Sequence, residues 1–76
     1  MNKTLAQIQV ALDDALGEHK SITTKTHLTK DDILDSLDSA VFLLNLETEF
    51  QKKLPEEAVQ QLDLYLIENL INYLEQ

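Results

Sequence analysis

The sequence predicts a small all-α fold, a single-domain antiparallel bundle of three long helices with room for a short fourth. Three observations carry that prediction. The chain is 76 residues long, it contains one Gly and one Pro, and its apolar residues recur at helical spacing. That length supports one hydrophobic core, so residues 1–76 form one domain. A sheet-rich fold needs turn residues every several positions, and this chain has almost none. With 43% hydrophobic and 26% charged residues, the composition is that of a folded globule rather than a disordered chain.

The first helix is read from Leu5, Ile8, Leu12 and Leu16, which share one face. Thr4 and Gln7 have capping-box spacing at its start, and Gly17 suits a left-handed residue just past its end. From Gly17 to Asp32 the chain is polar, with Ile22 and Leu28 as the apolar residues able to pin a long loop to the core. Asp35 then stands at an N-cap position, with Asp38 at the third helical position near the positive end of the dipole. The second helix runs from Ser36 to about Phe50.

At about 100° per residue its apolar positions separate into two ridges. Phe42, Leu46 and Phe50, flanked by Leu43, form the one assigned to the core; Leu37, Val41 and Leu44 form another on roughly the opposite side, close to Ser36. Pro55 suits the first position of a further helix, with Glu56 and Glu57 in its acidic first turn. Val59, Leu62, Leu66, Leu70 and Leu74 keep helical period to the end. One long helix satisfies this pattern. So does a short helix over residues 55–61 followed by a final one capped by Asp63.

Charge and composition exclude several functions. The chain has 14 acidic residues against six Lys and no Arg, a formal net charge of -8. Residues 1–30 hold four Lys against three acids, whereas the remainder holds eleven acids against two Lys. Such a surface repels phosphate backbones and anionic headgroups and suits basic protein surfaces, so neither nucleic acid nor membrane is an expected partner. No apolar run approaches the roughly 20 residues of a membrane span, and no signal-like start is present, so a cytoplasmic protein is expected; nothing in the sequence demands a dimer, so a monomer is expected. The absence of Cys excludes disulfides, thiolate metal sites and a thiol nucleophile of the chain's own.

The most specific signal is the string Asp35, Ser36, Leu37, then Leu46, Glu47, Phe50, Leu54 and Pro55. In this register the sequence resembles the acyl and peptidyl carrier proteins, whose signature is an Asp-Ser-Leu triplet opening the second helix, a downstream Leu, Glu and Phe, and an aliphatic residue before Pro. The resemblance spans essentially the whole chain and is best between Asp35 and Pro55.

The resemblance implies a carrier rather than an enzyme. Ser36 is then the attachment point of a 4'-phosphopantetheine arm, delivered from coenzyme A by a carrier protein synthase (a phosphopantetheinyl transferase), and the arm's thiol carries acyl groups as thioesters. Asp35 and Leu37 flank the attachment site. Leu37, Asp38, Val41, Leu44 and Glu47, with Glu49 nearby, are the implied docking residues for loading, condensing or modifying enzymes with basic surfaces. A phosphodiester at Ser36 suits the first turn of a helix, where N–H groups and the dipole favour negative charge. Fatty acyl, polyketide and aminoacyl or peptidyl cargo all remain open.

The chain departs from the family pattern in three places. Ile33 and Leu34 precede Asp35 where a Gly is common, Val41 replaces an acidic residue, and Leu64, Tyr65 and Leu66 stand where small polar residues are usual. The apolar Val41 points to a dedicated partner set, and the third departure alters the groove that shelters an acyl chain.

Other readings are weaker. Asp31, Asp32, Asp35 and Asp38 lack the Gly and terminal Glu of a calcium loop, so no metal site is expected. His19 and His27 are expected to be solvent-exposed loop residues, and Tyr65 and Tyr73 to pack at the core margin. A hydrolase using Ser36 lacks a histidine base at a credible position. The rival from another class is an acidic helical adaptor without a prosthetic group.

Overall fold

Helices account for all the regular structure. In the computed structural model, which describes residues 3–76, these are α1 (Lys3–Leu16), α2 (Ser36–Phe50), α3 (Glu56–Gln61) and α4 (Ile67–Leu74), and the described residues contain no strand. None of these helices is long and apolar enough to cross a membrane.

The face of α1 predicted to be apolar is buried through Ile8, Ala11 and Leu12, with Leu5 and Leu16 packed against the core margin. Gly17 ends the helix at φ 71°, its N–H donating to the Asp13 carbonyl at 2.9 Å. A side chain there would meet no neighbour, so backbone conformation is what calls for glycine. The start corrects the sequence expectation. The helix already includes Lys3, so Thr4 lies inside the first turn and is not its cap. Its hydroxyl instead donates to Glu75 Oε2 at 2.9 Å, and Gln7 reaches across to Glu49.

α2 has the expected bounds. Asp35 is its N-cap, in extended conformation, and its side chain accepts from the Asp38 N–H at 2.8 Å. The helix stops at Gln51, which is left-handed at φ 50° and donates its N–H to the Glu47 carbonyl. Phe42 and Leu46 are fully buried, and Leu43 and Phe50 pack against the core from its edge. Each such buried side chain contributes roughly 1.5–3 kcal/mol relative to exposure. On the opposite side Leu37, Val41 and Leu44 are 76%, 43% and 62% exposed, so the helix does carry an uncovered apolar ridge.

The C-terminal region contains two helices, not one. Pro55 is the N-cap of α3 rather than its first residue, and α3 ends after Gln61. Asp63 adopts φ 50°, and the Leu64 N–H turns back to the Val59 carbonyl at 3.0 Å, which breaks the helical ladder. Asn69 then donates from its side chain to the carbonyls of Leu62 and Asp63, fixing the break. Asp63 does not cap α4 as anticipated. Leu66 occupies that position without a side-chain cap, because the Asp63 carboxylate is engaged elsewhere.

α1 packs against both α2 and α4, and the long connection before α2 closes the remaining side. Ile22 and Leu28 are buried as expected, and Leu34 joins them. Gln9 holds the start of this connection to α1, accepting from the Ile22 N–H at 3.1 Å and donating to the Lys20 carbonyl at 2.6 Å. Its far end is pinned to the α3–α4 link. The Leu28 N–H donates to the Tyr65 carbonyl at 2.8 Å, the Ile67 N–H to Thr26, and the Glu68 N–H to Thr24. An isolated antiparallel bridge pairs His27 with Leu66.

His27 corrects another expectation. It is buried, and its Nε2 lies 2.9 Å from Asp63 Oδ1. His19 is exposed as expected, yet its Nδ1 sits 2.7 Å from Asp13 Oδ2. Tyr65 and Tyr73 both lie at the core margin.

Candidate functional site

Ser36 is the first residue of α2, immediately after the Asp35 cap, and is exposed. Asp35 shapes this point twice. Its carboxylate takes the Asp38 N–H, and its carbonyl accepts both the Ser39 N–H at 2.9 Å and the Ser39 hydroxyl at 2.7 Å. The turn is therefore held without using the Ser36 side chain, whose hydroxyl makes no hydrogen bond to another described group. The N–H groups of the first turn lack carbonyl partners within the helix and, with the dipole, form a partial positive charge beside that hydroxyl.

Ser36 also stands at the edge of a groove of about 370 Å³ between α2 and α3. From α2 the groove takes Ser36, Ser39, Ala40 and Leu43, which lie three, four and seven residues apart on one helical face. Leu54, Glu56, Val59, Gln60 and Tyr65 complete its lining. The spacing from Ser36 to Ala40 and Leu43 was a usable sequence signal. The contributions of Leu54, Val59 and Gln60 were not readable, because they depend on where α3 folds back.

The remaining sequence-predicted residues fall into two groups. Leu37, Val41 and Leu44 project together from α2 into solvent, adjacent to Ser36. Asp38 is half-buried in the first turn. Glu47 is also half-buried, and its Oε2 accepts from the Leu54 N–H at 2.6 Å. That contact ties α2 to the segment leading into α3, so the carboxylate has a structural task. Glu49 is exposed near Gln7, away from the ridge.

A second hollow of about 230 Å³ between α1 and α2 is lined by Gln7, Asp14, Asn45 and Glu49 and includes none of the residues around Ser36. The Asp13 carboxyl is held below its ordinary value. Desolvation raises its carboxyl, but hydrogen bonds from His19, the Lys20 N–H and Gln9, with the nearby His19 charge, outweigh this and hold it low. It lies at the α1 C-terminus, remote in sequence from the groove residues, and serves the loop that follows. Among the described residues no cluster of three or more His, Asp or Glu is arranged to hold a metal ion.

What this arrangement offers chemically is an exposed hydroxyl at a helix start, bordering an apolar groove on one side and an apolar ridge on the other. His27 is committed to Asp63 and His19 to Asp13, so neither histidine is poised as a base for Ser36. No protein-family model matches the sequence, and comparison with curated proteins and with solved structures finds no match.

Proposed function

We propose that this chain is a carrier protein of the acyl or peptidyl carrier type, with an antiparallel carrier-like bundle, a 4'-phosphopantetheine arm on Ser36, and the task of presenting acyl groups to partner enzymes. One observation supports the reading above the others. The Ser36 hydroxyl of the Asp35-Ser36-Leu37 string is exposed, makes no hydrogen bond to another described residue and belongs to the lining of a partly apolar groove.

The residues present fit such a group. A phosphodiester on the Ser36 oxygen would lie over the open N–H groups of the first turn of α2, where negative charge is favoured. Asp35 keeps that turn formed through its own hydrogen bonds, so modification of Ser36 would leave the cap intact. When bound, the arm supplies the thiol that a chain without Cys lacks, and hence the means of holding an acyl group. Leu54, Val59 and Leu43 offer an attached chain apolar cover from water.

The exposed ridge of Leu37, Val41 and Leu44 beside the attachment point is a suitable docking face, since contiguous apolar exposure on a small protein marks interaction sites. The acid-rich second half of the chain steers basic partners toward it. Expected partners are a phosphopantetheinyl transferase and the loading, condensing or modifying enzymes of a fatty-acid, polyketide or related pathway.

Incubation with coenzyme A and a broad-specificity phosphopantetheinyl transferase, followed by intact-mass measurement, tests the proposal. An increase equal to one arm, abolished in Ser36→Ala, supports it. An unchanged mass with an active transferase favours a helical adaptor acting through the ridge alone.

A further inference from the structure

The hollow between α1 and α2 shares no residue with the groove beside Ser36, and both helices build it: Gln7, Val10 and Asp14 from α1, Asn45, Thr48 and Glu49 from α2. The two helices run antiparallel along it. Gln7 reaches Glu49 at one end, and further along the Asn45 amide donates to the Ala11 carbonyl at 3.2 Å, which leaves Asp14 at the other end. The seven residues from Gln7 to Asp14, at 1.5 Å each, make a trough about 10 Å long, or two turns of helix.

The middle of this trough is apolar and open. Val10 is 61% exposed, whereas Ile8, Ala11 and Leu12 around it are buried. On α2, Thr48 follows Leu37, Val41 and Leu44 at spacings of four, three and four residues, so the four share one face and the exposed ridge runs along the lip of the trough. Val10 stands across the trough from that lip.

The charges at the two ends have one sign. Asp14 and Glu49 are both exposed, and no Lys lines the trough. Neither carboxylate forms an ion pair with a described residue, and the one side-chain hydrogen bond between them and the rest of the described chain is the 3.5 Å contact from Gln7 to Glu49. A second copy of a chain with a net charge of -8 is electrostatically disfavoured here, and a cationic partner is favoured.

We propose that this trough is a docking site for a partner helix that carries an apolar side chain in the middle of two turns and a Lys or Arg at each end, about seven residues apart. A helix laid between two others packs its side chains as a ridge into their groove. Its apolar residue then meets Val10 and the lip at Leu44, and its cations meet Asp14 and Glu49. The inference goes beyond the carrier reading, because it adds α1 to the docking surface and needs no arm on Ser36.

The test titrates the full chain, followed by amide NMR, with a synthetic end-capped helix of about fourteen residues bearing Leu in its middle and Arg seven residues apart. Saturable shifts are expected at Val10, Asp14, Asn45 and Thr48. Val10→Gln, at an exposed position, is expected to keep its thermal midpoint and to weaken binding about fivefold to tenfold. Asp14→Asn combined with Glu49→Gln is expected to weaken it about tenfold at low salt and to flatten its salt dependence, as is a peptide with Gln in place of both Arg. No saturation below about 1 mM, shifts confined to residues 37–44 with α1 silent, undiminished binding to Val10→Gln, or self-association of the chain through this face in place of peptide binding would each overturn the proposal. Intact mass after arm transfer to Ser36 is read separately, so any of these failures leaves the carrier reading standing.

Discussion

The Nε2 of His27 lies 2.9 Å from Oδ1 of Asp63, a residue 36 positions further along the chain. The Nδ1 of the same ring receives the Lys30 N–H at 3.1 Å, so Nδ1 is an acceptor and the network assigns the ring proton to Nε2, which donates to Asp63. Around this ring the Asp31 carboxylate accepts from the His27 N–H and the Leu28 N–H donates to the Tyr65 carbonyl. A buried imidazole thus joins the long loop to the link between α3 and α4, which forms one wall of the groove beside Ser36.

His27→Ala removes the ring's contacts with Asp63, Thr29 and Lys30 and leaves the Lys30 N–H without its partner, so a loss of about 1–3 kcal/mol in urea unfolding is expected. Asp63→Asn keeps an acceptor and a residue tolerant of the left-handed conformation at φ 50°, and is expected to cost less. Equal losses from the two substitutions would contradict the assigned role of the ring.

Asp35→Ala removes the acceptor for the Asp38 N–H and is expected to lower stability by about 0.5–2 kcal/mol, read as a lower thermal midpoint. Asp35→Asn retains a capping oxygen and is expected to recover most of that loss. An Ala variant as stable as the native chain would show that the cap contributes nothing.

How far the site could be read in advance differed along the chain. The bounds of α2 and its two ridges were legible, because a capping Asp, a helical period and apolar excess all act within one segment. Ile22 and Leu28 were legible as anchors because they are the apolar residues of a polar stretch. The break between α3 and α4 was not settled by periodicity, since Leu62, Leu66 and Leu70 continue it. The break is made by Asp63, by Asn69 and by pairing with a loop distant in sequence. For the same reason nothing adjacent to His27 marked it as buried, and its partner became visible only when the chain folded back. Thr4 looked like a cap because its spacing to Gln7 fits one, yet the helix extends past it.

The two ridges of α2 should respond differently to truncation. Leu46→Ala is expected to cost about 2–5 kcal/mol, as a fully buried side chain does, whereas Leu37→Ala and Leu44→Ala are expected to stay within about 0.5 kcal/mol. If the exposed ridge docks enzymes, Leu37→Ala should instead lower kcat/KM for arm transfer by about tenfold, the cost of losing a principal interface side chain. A large stability loss at Leu37 with unchanged transfer would reverse the assignment.

Asp13 gives the acid response its sign. Its carboxyl is held below its ordinary value of 3.8 in the folded chain, so it contributes stability above that value, and the contribution is lost as pH falls through the lower folded value. Asp13→Asn should therefore show a smaller loss of stability between pH 5 and strongly acid solution than the native chain, by thermal melts across that range. A steeper loss in the variant would contradict the hydrogen-bonded state of the carboxylate.

Peptide-level mass spectrometry after incubation with coenzyme A and a phosphopantetheinyl transferase examines the central claim most directly. One arm should be found per chain, with fragment ions placing it on the Ser36 oxygen and on neither Ser21 nor Ser39. A chain that stays unmodified under conditions that load a known carrier, or that takes the arm at another residue, would contradict it.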